Sequence, residues 1–380
     1  MNIANMSLGD GQGWGYGDGA WKTRDAIERR VAAWKTELNI DKVFIRRSYV
    51  RTKIYNGGYR KYLALINKII PTKLDWSPLK IMPEICHQQG VEAYLYVSLF
   101  DEGWPLLSAK ERKYSYHNKQ HCRHVSAQTK FSYEHPEYAV VDRTGKKRQW
   151  GVLCLAYPEV RQYFIERYLE GLKDTNYDGL FVCFRSQSKP AEFADQYGFN
   201  EPIRKVYLRR YGKDILKQDF ELCDWQALCG EYVTQFLMEL KAELVKRNIK
   251  LAVGYRGGEY IGPPMGNIIM DWRYWAGNGI IDDLIINQDS SRCPSFDIDL
   301  WPMHRGYGYN AQWLYDMVQD HTNYVSEIVN IYISRQWNKR NQVDEQRLLN
   351  MPGVAGLVFS AYKHDNPAAV ARACWRSKHT

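Results

Sequence analysis

Five segments of this chain share one grammar, and few folds accommodate it. Asn176-Tyr177-Asp178-Gly179-Leu180-Phe181-Val182-Cys183-Phe184-Arg185-Ser186 passes from a turn through a short apolar run into charged and polar residues. The stretches 250–256 (KLAVGYR), 283–289 (DLIINQD), 330–335 (NIYISR) and 356–363 (GLVFSAYK) repeat the pattern. Apolar residues at consecutive positions mean that both strand faces are covered, as in a parallel sheet, and the polar residues that follow mark the end that meets solvent. Repeated strand ends of one polarity imply a barrel with one working face.

The segments between these strands read as helices. Thr23 to Leu38 places Ala26, Ile27, Val31, Trp34 and Leu38 at helical spacing behind Thr23 as a cap. Ser77 to Gln89 has Ser77 as cap, Pro78 at the first helical position and Gly90 just past the end. Pro158 to Lys173, Pro202 to Tyr211, Trp225 to Arg247 and stretches near 310–327, 343–350 and 367–376 complete the helices. Asp41 to Arg47 and Glu92 to Phe100 add two strands, and an eighth, weaker strand falls near Trp14 in the Gly-rich first twenty residues. This alternation predicts a (β/α)8 TIM barrel, a single domain over 1–380 with a long insertion after strand three. The insertion, 101–151, is rich in His, Lys and Tyr and reads as an inserted loop or lid region. A doubly wound open sheet is the rival fold, but no GxGxxG or P-loop follows any early strand.

Composition narrows the function. The formal net charge of +9 favours anionic partners, yet it is spread along the chain and no basic run accompanies a nucleic-acid-binding motif, so no nucleic acid is expected. Thirteen Trp and 28 Tyr suit sugar binding, although most of them are expected to fill the core. Eight cysteines at 86, 122, 154, 183, 223, 229, 293 and 374 show neither a CxxC pair nor metal-type spacing and read as reduced thiols. They favour a cytoplasmic, soluble protein; a periplasmic or secreted one would require a signal peptide already removed. No stretch has the apolar length to cross a membrane. His121 and His124 fall one helical turn apart but lack a third ligand, so neither a metal nor any cofactor is expected. A histidine of the insertion, among His117, His121, His124 and His135, is instead a candidate to act over the mouth as general acid or base, and His124 is the one expected to contact substrate.

At the strand ends the chain resembles the glycoside-hydrolase-like (β/α)8-barrel proteins of polysaccharide-degrading bacteria. Three segments carry the resemblance: Val97-Ser98-Leu99-Phe100-Asp101-Glu102-Gly103-Trp104-Pro105; Tyr177 to Ser188 with Asp195-Gln196-Tyr197-Gly198-Phe199-Asn200; and Phe359-Ser360-Ala361-Tyr362-Lys363. The resemblance implies a barrel spanning nearly the whole chain and a carbohydrate substrate. It is weakly specific for chemistry, because one barrel hosts many reactions. In the largest barrel-hydrolase clan, glutamates at the ends of strands four and seven are the catalytic pair. Here those ends carry Arg185 and Arg335, so any carboxylates come from other strands.

Glycoside cleavage needs one protonated carboxyl to assist the leaving oxygen and one ionised carboxylate to attack or to activate water. Asp101 and Glu102 follow strand three, Glu259 follows strand five and Asp289 ends strand six; Asp18 follows the weak first strand. Glu102 shares parity with Tyr94, Tyr96 and Ser98, which makes it the preferred carboxylate with Glu259, whose neighbouring Gly257 and Gly258 allow close backbone approach. Asp101 and Asp289 are the reserves. Arg47, Arg185, Arg256 and Arg335 come at or just past strand ends, and guanidinium forks bind carboxylate and sulfate bidentately, which points to a uronate, a sialylated or a sulfated glycan. The alternative for each arginine is a neighbouring strand-end carboxylate. Trp104, Trp337, Tyr255, Gln288 and Lys363 are the other expected sugar contacts, with Trp14 and Trp301 as further stacking candidates. Two other classes remain open: a non-catalytic carbohydrate-binding barrel and, least favoured, a basic nucleic-acid-binding protein.

Overall fold

The computed structural model describes residues 1–7, 23–46, 78–103, 129–184, 193, 195–254, 260–261, 268–286, 311–335 and 342–360. In chain order its elements are β1 (Asn2–Ser7), α1 (Arg24–Leu38), β2 (Ile40–Arg46), α2 (Pro78–Gln88), β3 (Glu92–Ser98), α3 (Lys130–Glu134), β4 (Ala139–Val141) and β5 (Arg148–Leu153). There follow α4 (Pro158–Leu172), β6 (Gly179–Cys183), α5 (Glu201–Tyr211), α6 (Leu222–Val245), β7 (Lys250–Gly254), β8 (Tyr260–Ile261) and β9 (Ile268–Ile269). The last are α7 (Trp272–Gly277), β10 (Asp283–Ile286), α8 (Ala311–Val325), β11 (Asn330–Arg335), α9 (Gln342–Leu349) and β12 (Val354–Ser360). Strands β1, β2, β3, β6, β7, β10, β11 and β12 pair in parallel in that order, and β12 pairs back to β1. The chain is a closed (β/α)8 barrel.

Residues alternate between lumen and helix layer. At mid-height Phe44, Tyr94, Phe181, Ile285 and Tyr332 pack inside the barrel, with the Phe44 and Phe181 rings stacked at 4.2 Å. Their neighbours Val43, Leu95, Val182 and Leu284 face outward into the larger core beneath the helices. The N-terminal end of the lumen is closed by charge. Lys42 Nζ lies 2.6 Å from Asp283 and 3.7 Å from Glu92, Lys250 pairs with Glu92 at 2.7 Å, and Asn330 donates to Asp283 at 2.8 Å. Buried charges persist only when paired in this way.

The strand that closes the barrel is Asn2–Ser7, which corrects the expectation of a strand near Trp14, a residue outside the described set. Its closure depends on Asn2, whose Oδ1 accepts from the Leu357 N–H at 2.9 Å while its Nδ2 donates to the Leu38 carbonyl at 2.7 Å. Gly356 lets the chains meet there: a Cβ on it would sit 1.5 Å from the Met1 carbonyl oxygen.

Local chemistry accounts for the helices. Thr23 caps α1 by accepting from the Ala26 N–H at 3.2 Å. Pro83 lies inside α2 and has no N–H to give the Leu79 carbonyl, which instead accepts the Tyr177 hydroxyl at 2.8 Å. The turn before β6 is thereby tied to α2. Helix 367–376 lies outside the described residues.

The described part of the insertion is structured beyond the sequence expectation. It holds α3 and an antiparallel β4–β5 hairpin. Asp142 Oδ1 accepts from the Lys146 and Lys147 N–H groups, each at 3.0 Å, and Gly145 takes φ +70° at the turn. Among the described residues no helix is long and apolar enough to cross a membrane.

Candidate functional site

The C-terminal ends of the barrel strands form the mouth. Parity along β2 sends Lys42, Phe44 and Arg46 to the lumen, so a cation stands at its base and another at its mouth. Arg46 lies over the Tyr96 ring at 5.5 Å from the centroid, and its guanidinium is 3.5 Å from the Asp101 carboxylate. Both partners are buried, Arg46 at 8% and Asp101 at 3% exposure. Ser98, on the same inward stripe as Tyr96, carries a buried hydroxyl without a hydrogen-bond partner. On β7 the residue paired with lumen-facing Cys183 is Gly254, which presents no side chain to the mouth.

The two acids after β3 part company. Asp101 meets Arg46 at the mouth, whereas Glu102 is fully buried and turns to α4. Its Oε1 pairs with Arg167, and its Oε2 accepts the Thr129 hydroxyl at 2.7 Å and the Tyr163 hydroxyl at 2.8 Å. Expected parity places Glu102 inward with Tyr94, Tyr96 and Ser98. The correction has a simple cause: β3 ends at Ser98, short of the expected Phe100, and beyond it alternation no longer governs direction. Burial, and next the Glu102 carboxylate, push the Tyr163 hydroxyl above its ordinary range, so it stays protonated as a donor.

Arg335 is the last residue of β11, paired in register with Phe359. Glu259, Asp289, Arg47, Arg185, Arg256, Trp104, Tyr255, Gln288, Trp337, Lys363 and His124 lie outside the described residues, as do Asp18, Trp14, Trp301, His117 and His121. His135 sits in the insertion, 3.1 Å from Glu137 and packed against Phe131. Sequence reasoning named Arg47, which lies outside the described residues, and did not name its neighbour Arg46. Its local mark is parity: Arg46 lies two residues after Phe44, at the end of the apolar run Val43-Phe44-Ile45.

A second concavity lies beside the mouth, lined by Phe100, Val152, Leu155, Ile203, Tyr232 and Cys229 among others, with about 470 Å³ of empty space including the part open to solvent. None of the described residues that line it is charged. Cys154, also on its wall, has its thiol pushed up to about 12 by burial and remains neutral. Cys86, Cys154, Cys183, Cys223 and Cys229 are free thiols. Among the described residues no cluster of three or more His, Cys, Asp or Glu has metal-binding geometry.

No protein-family model and no curated protein matches the sequence. Among solved structures, α-L-fucosidase isoenzyme 2 from Paenibacillus thiaminolyticus aligns over 99% of this chain with a TM-score of 0.50 at 11% identity. The chain has the barrel fold of this glycoside hydrolase. It spans about half the fucosidase, 49% of that chain. The α-galactosidase AgaA from Geobacillus stearothermophilus, solved with raffinose, aligns over all of this chain and 41% of its own, with a TM-score of 0.49 and 12% identity.

Proposed function

We propose that this protein is a glycoside hydrolase that cleaves an anionic carbohydrate, a uronate-containing, sialylated or sulfated glycan, at the mouth of its barrel. The observation that carries the reading is the buried Arg46–Asp101 pair beside Tyr96 at the C-terminal end of β2 and β3. Functional residues of such barrels gather at that end. Arg46 brings a guanidinium to that end of the barrel, the group that holds a carboxylate or sulfate bidentately.

Asp101 replaces Glu102 as the first carboxyl of the pair, since both Glu102 oxygens are engaged away from the mouth. Glu259 or Asp289, following β7 and β10, supplies the second. One carboxyl in its protonated form gives its proton to the glycosidic oxygen as that bond breaks. The other, ionised, attacks the sugar carbon or takes a proton from the water that does. Arg47, Arg185, Arg256 and Arg335 would extend the cationic surface, and Trp104, Tyr255, Gln288, Trp337, Lys363 and His124 would complete the sugar contacts. The reaction needs no cofactor.

One observation favours a second reading, a carbohydrate-binding barrel without turnover: the fourth barrel strand ends in Cys183 and Phe184, with no carboxylate. The deciding experiment incubates the protein with neutral, uronate-containing, sialylated and sulfated glycans and analyses products by mass spectrometry. Cleavage confined to the acidic classes is the expected result. Binding without products across the panel would overturn hydrolysis in favour of the binding barrel, and cleavage of neutral glycans alone would overturn the anionic assignment.

A further inference from the structure

We infer that Glu102 is a positioning residue: through Arg167, Tyr163 and Thr129 it fixes the turn that holds Asp101 against Arg46. The inference rests on the proposed role of Asp101 at the mouth and names what keeps that carboxylate in place. Adjacent side chains leave the chain in different directions, so anchoring one sets the direction of the other. Glu102 is anchored at every polar atom. Besides its side-chain contacts, its N–H donates to the Gly151 carbonyl at 2.9 Å and its carbonyl accepts from the Thr129 N–H at 3.0 Å. One residue therefore ties the end of β3 to α4, to β5 and to Thr129, 27 positions on.

The partners are themselves held. Tyr163 stacks on Phe131 with centroids 3.9 Å apart and planes 6° from parallel, and Arg167 Nη1 also touches the Tyr163 hydroxyl at 3.1 Å. A carboxylate with 0% exposure and three side-chain donors is well suited to hold a position and poorly placed to exchange a proton with substrate. The Arg46–Asp101 contact, by contrast, is 3.5 Å long, so a small rotation of the turn changes it substantially. Misplacement of a reacting group by about 1 Å costs on the order of 100-fold in rate, which gives the clamp its leverage.

The test uses Tyr163→Phe, which keeps the ring stack and removes one donor, together with Arg167→Met and Arg167→Lys. Tyr163→Phe is expected to lower kcat about 5- to 20-fold with KM within about twofold, a fraction of the cost of a full 1 Å displacement. Arg167→Lys should recover much of the turnover that Arg167→Met loses. Carboxyl-carbon NMR, with the Asp101 signal assigned by its loss in Asp101→Asn, supplies a readout independent of turnover. In Tyr163→Phe the Asp101 titration midpoint should move upward as the carboxylate slips from Arg46. A lower melting temperature with unchanged kcat and an unchanged Asp101 midpoint would overturn the inference and leave Glu102 a stability residue only. If the wild-type protein cleaves no glycan, the functional proposal fails while the NMR comparison still decides the positioning claim.

Discussion

The two ends of the barrel lumen use the same strands and similar residue types to opposite effect. At the base, Lys42, Asp283, Glu92, Lys250 and Asn330 meet at 2.6 to 2.8 Å along their tightest contacts, beneath the rings of Tyr94 and Tyr332. At the mouth, four residues further along β2, Arg46 and Asp101 stand 3.5 Å apart, beside a Ser98 hydroxyl without a partner and across from a glycine. The base is a paired network in which each charge meets a partner at 2.6 to 2.8 Å. The mouth buries its charged pair at the C-terminal ends of β2 and β3, the end where such barrels carry their functional residues. Position along the same strands, rather than residue type, separates the structural end from the end proposed as functional.

The sharpest way to break this comparison is to cut the base. Lys42→Met leaves Asp283 buried without its cation and should destabilise the fold by about 3–5 kcal/mol in chemical denaturation, as expected for one partner removed from a buried pair. Turnover per folded molecule should stay within about twofold; a large loss of turnover would show that the two ends are not separate. Arg46→Lys probes the other end. It keeps the charge but loses the fork, and should raise KM for an acidic glycan by about 10- to 100-fold, corresponding to about 1.5–3 kcal/mol for a charged hydrogen bond. Its denaturation midpoint should change little.

The smallest expected effect is a pH dependence set at the base. Burial first, and Asp283 next, push the Tyr94 and Tyr332 hydroxyls upward in the folded protein. In the unfolded chain these groups ionise near pH ~10. The folded state therefore holds its protons longer, and the stabilisation, fully present below that pH, is lost as pH rises beyond it. Tyr94→Phe should flatten the alkaline limb of the stability profile without moving the pH dependence of turnover. A shifted activity profile would place Tyr94 in the mouth's chemistry.

Much of the barrel was legible because its signals are local. The apolar runs of β6, β7, β10 and β11, the Thr23 cap and the Pro158 helix start each follow from neighbouring residues. β1 was not legible, because its six residues carry Asn at 2 and 5 and its place is fixed by pairing with β12, more than 350 positions away. The β4–β5 hairpin hid inside a polar stretch, although the Asp142 to Gly145 turn was its local mark. At the site, parity identified the inward stripe of β3 but not where the strand stops. That point decides the directions of the two acids: Asp101 lies 3.5 Å from Arg46, and Glu102 turns to Arg167 of α4.

The most direct test of the account compares wild type with Asp101→Asn, measuring kcat/KM on an acidic glycan and thermal unfolding on the same preparations. The account predicts a loss of about 100- to 10,000-fold in kcat/KM, the usual contribution of a general acid or base, in a protein that remains folded at the assay temperature although its melting temperature falls as Arg46 loses a buried partner. Activity retained within about threefold would contradict the assignment of the mouth carboxylate.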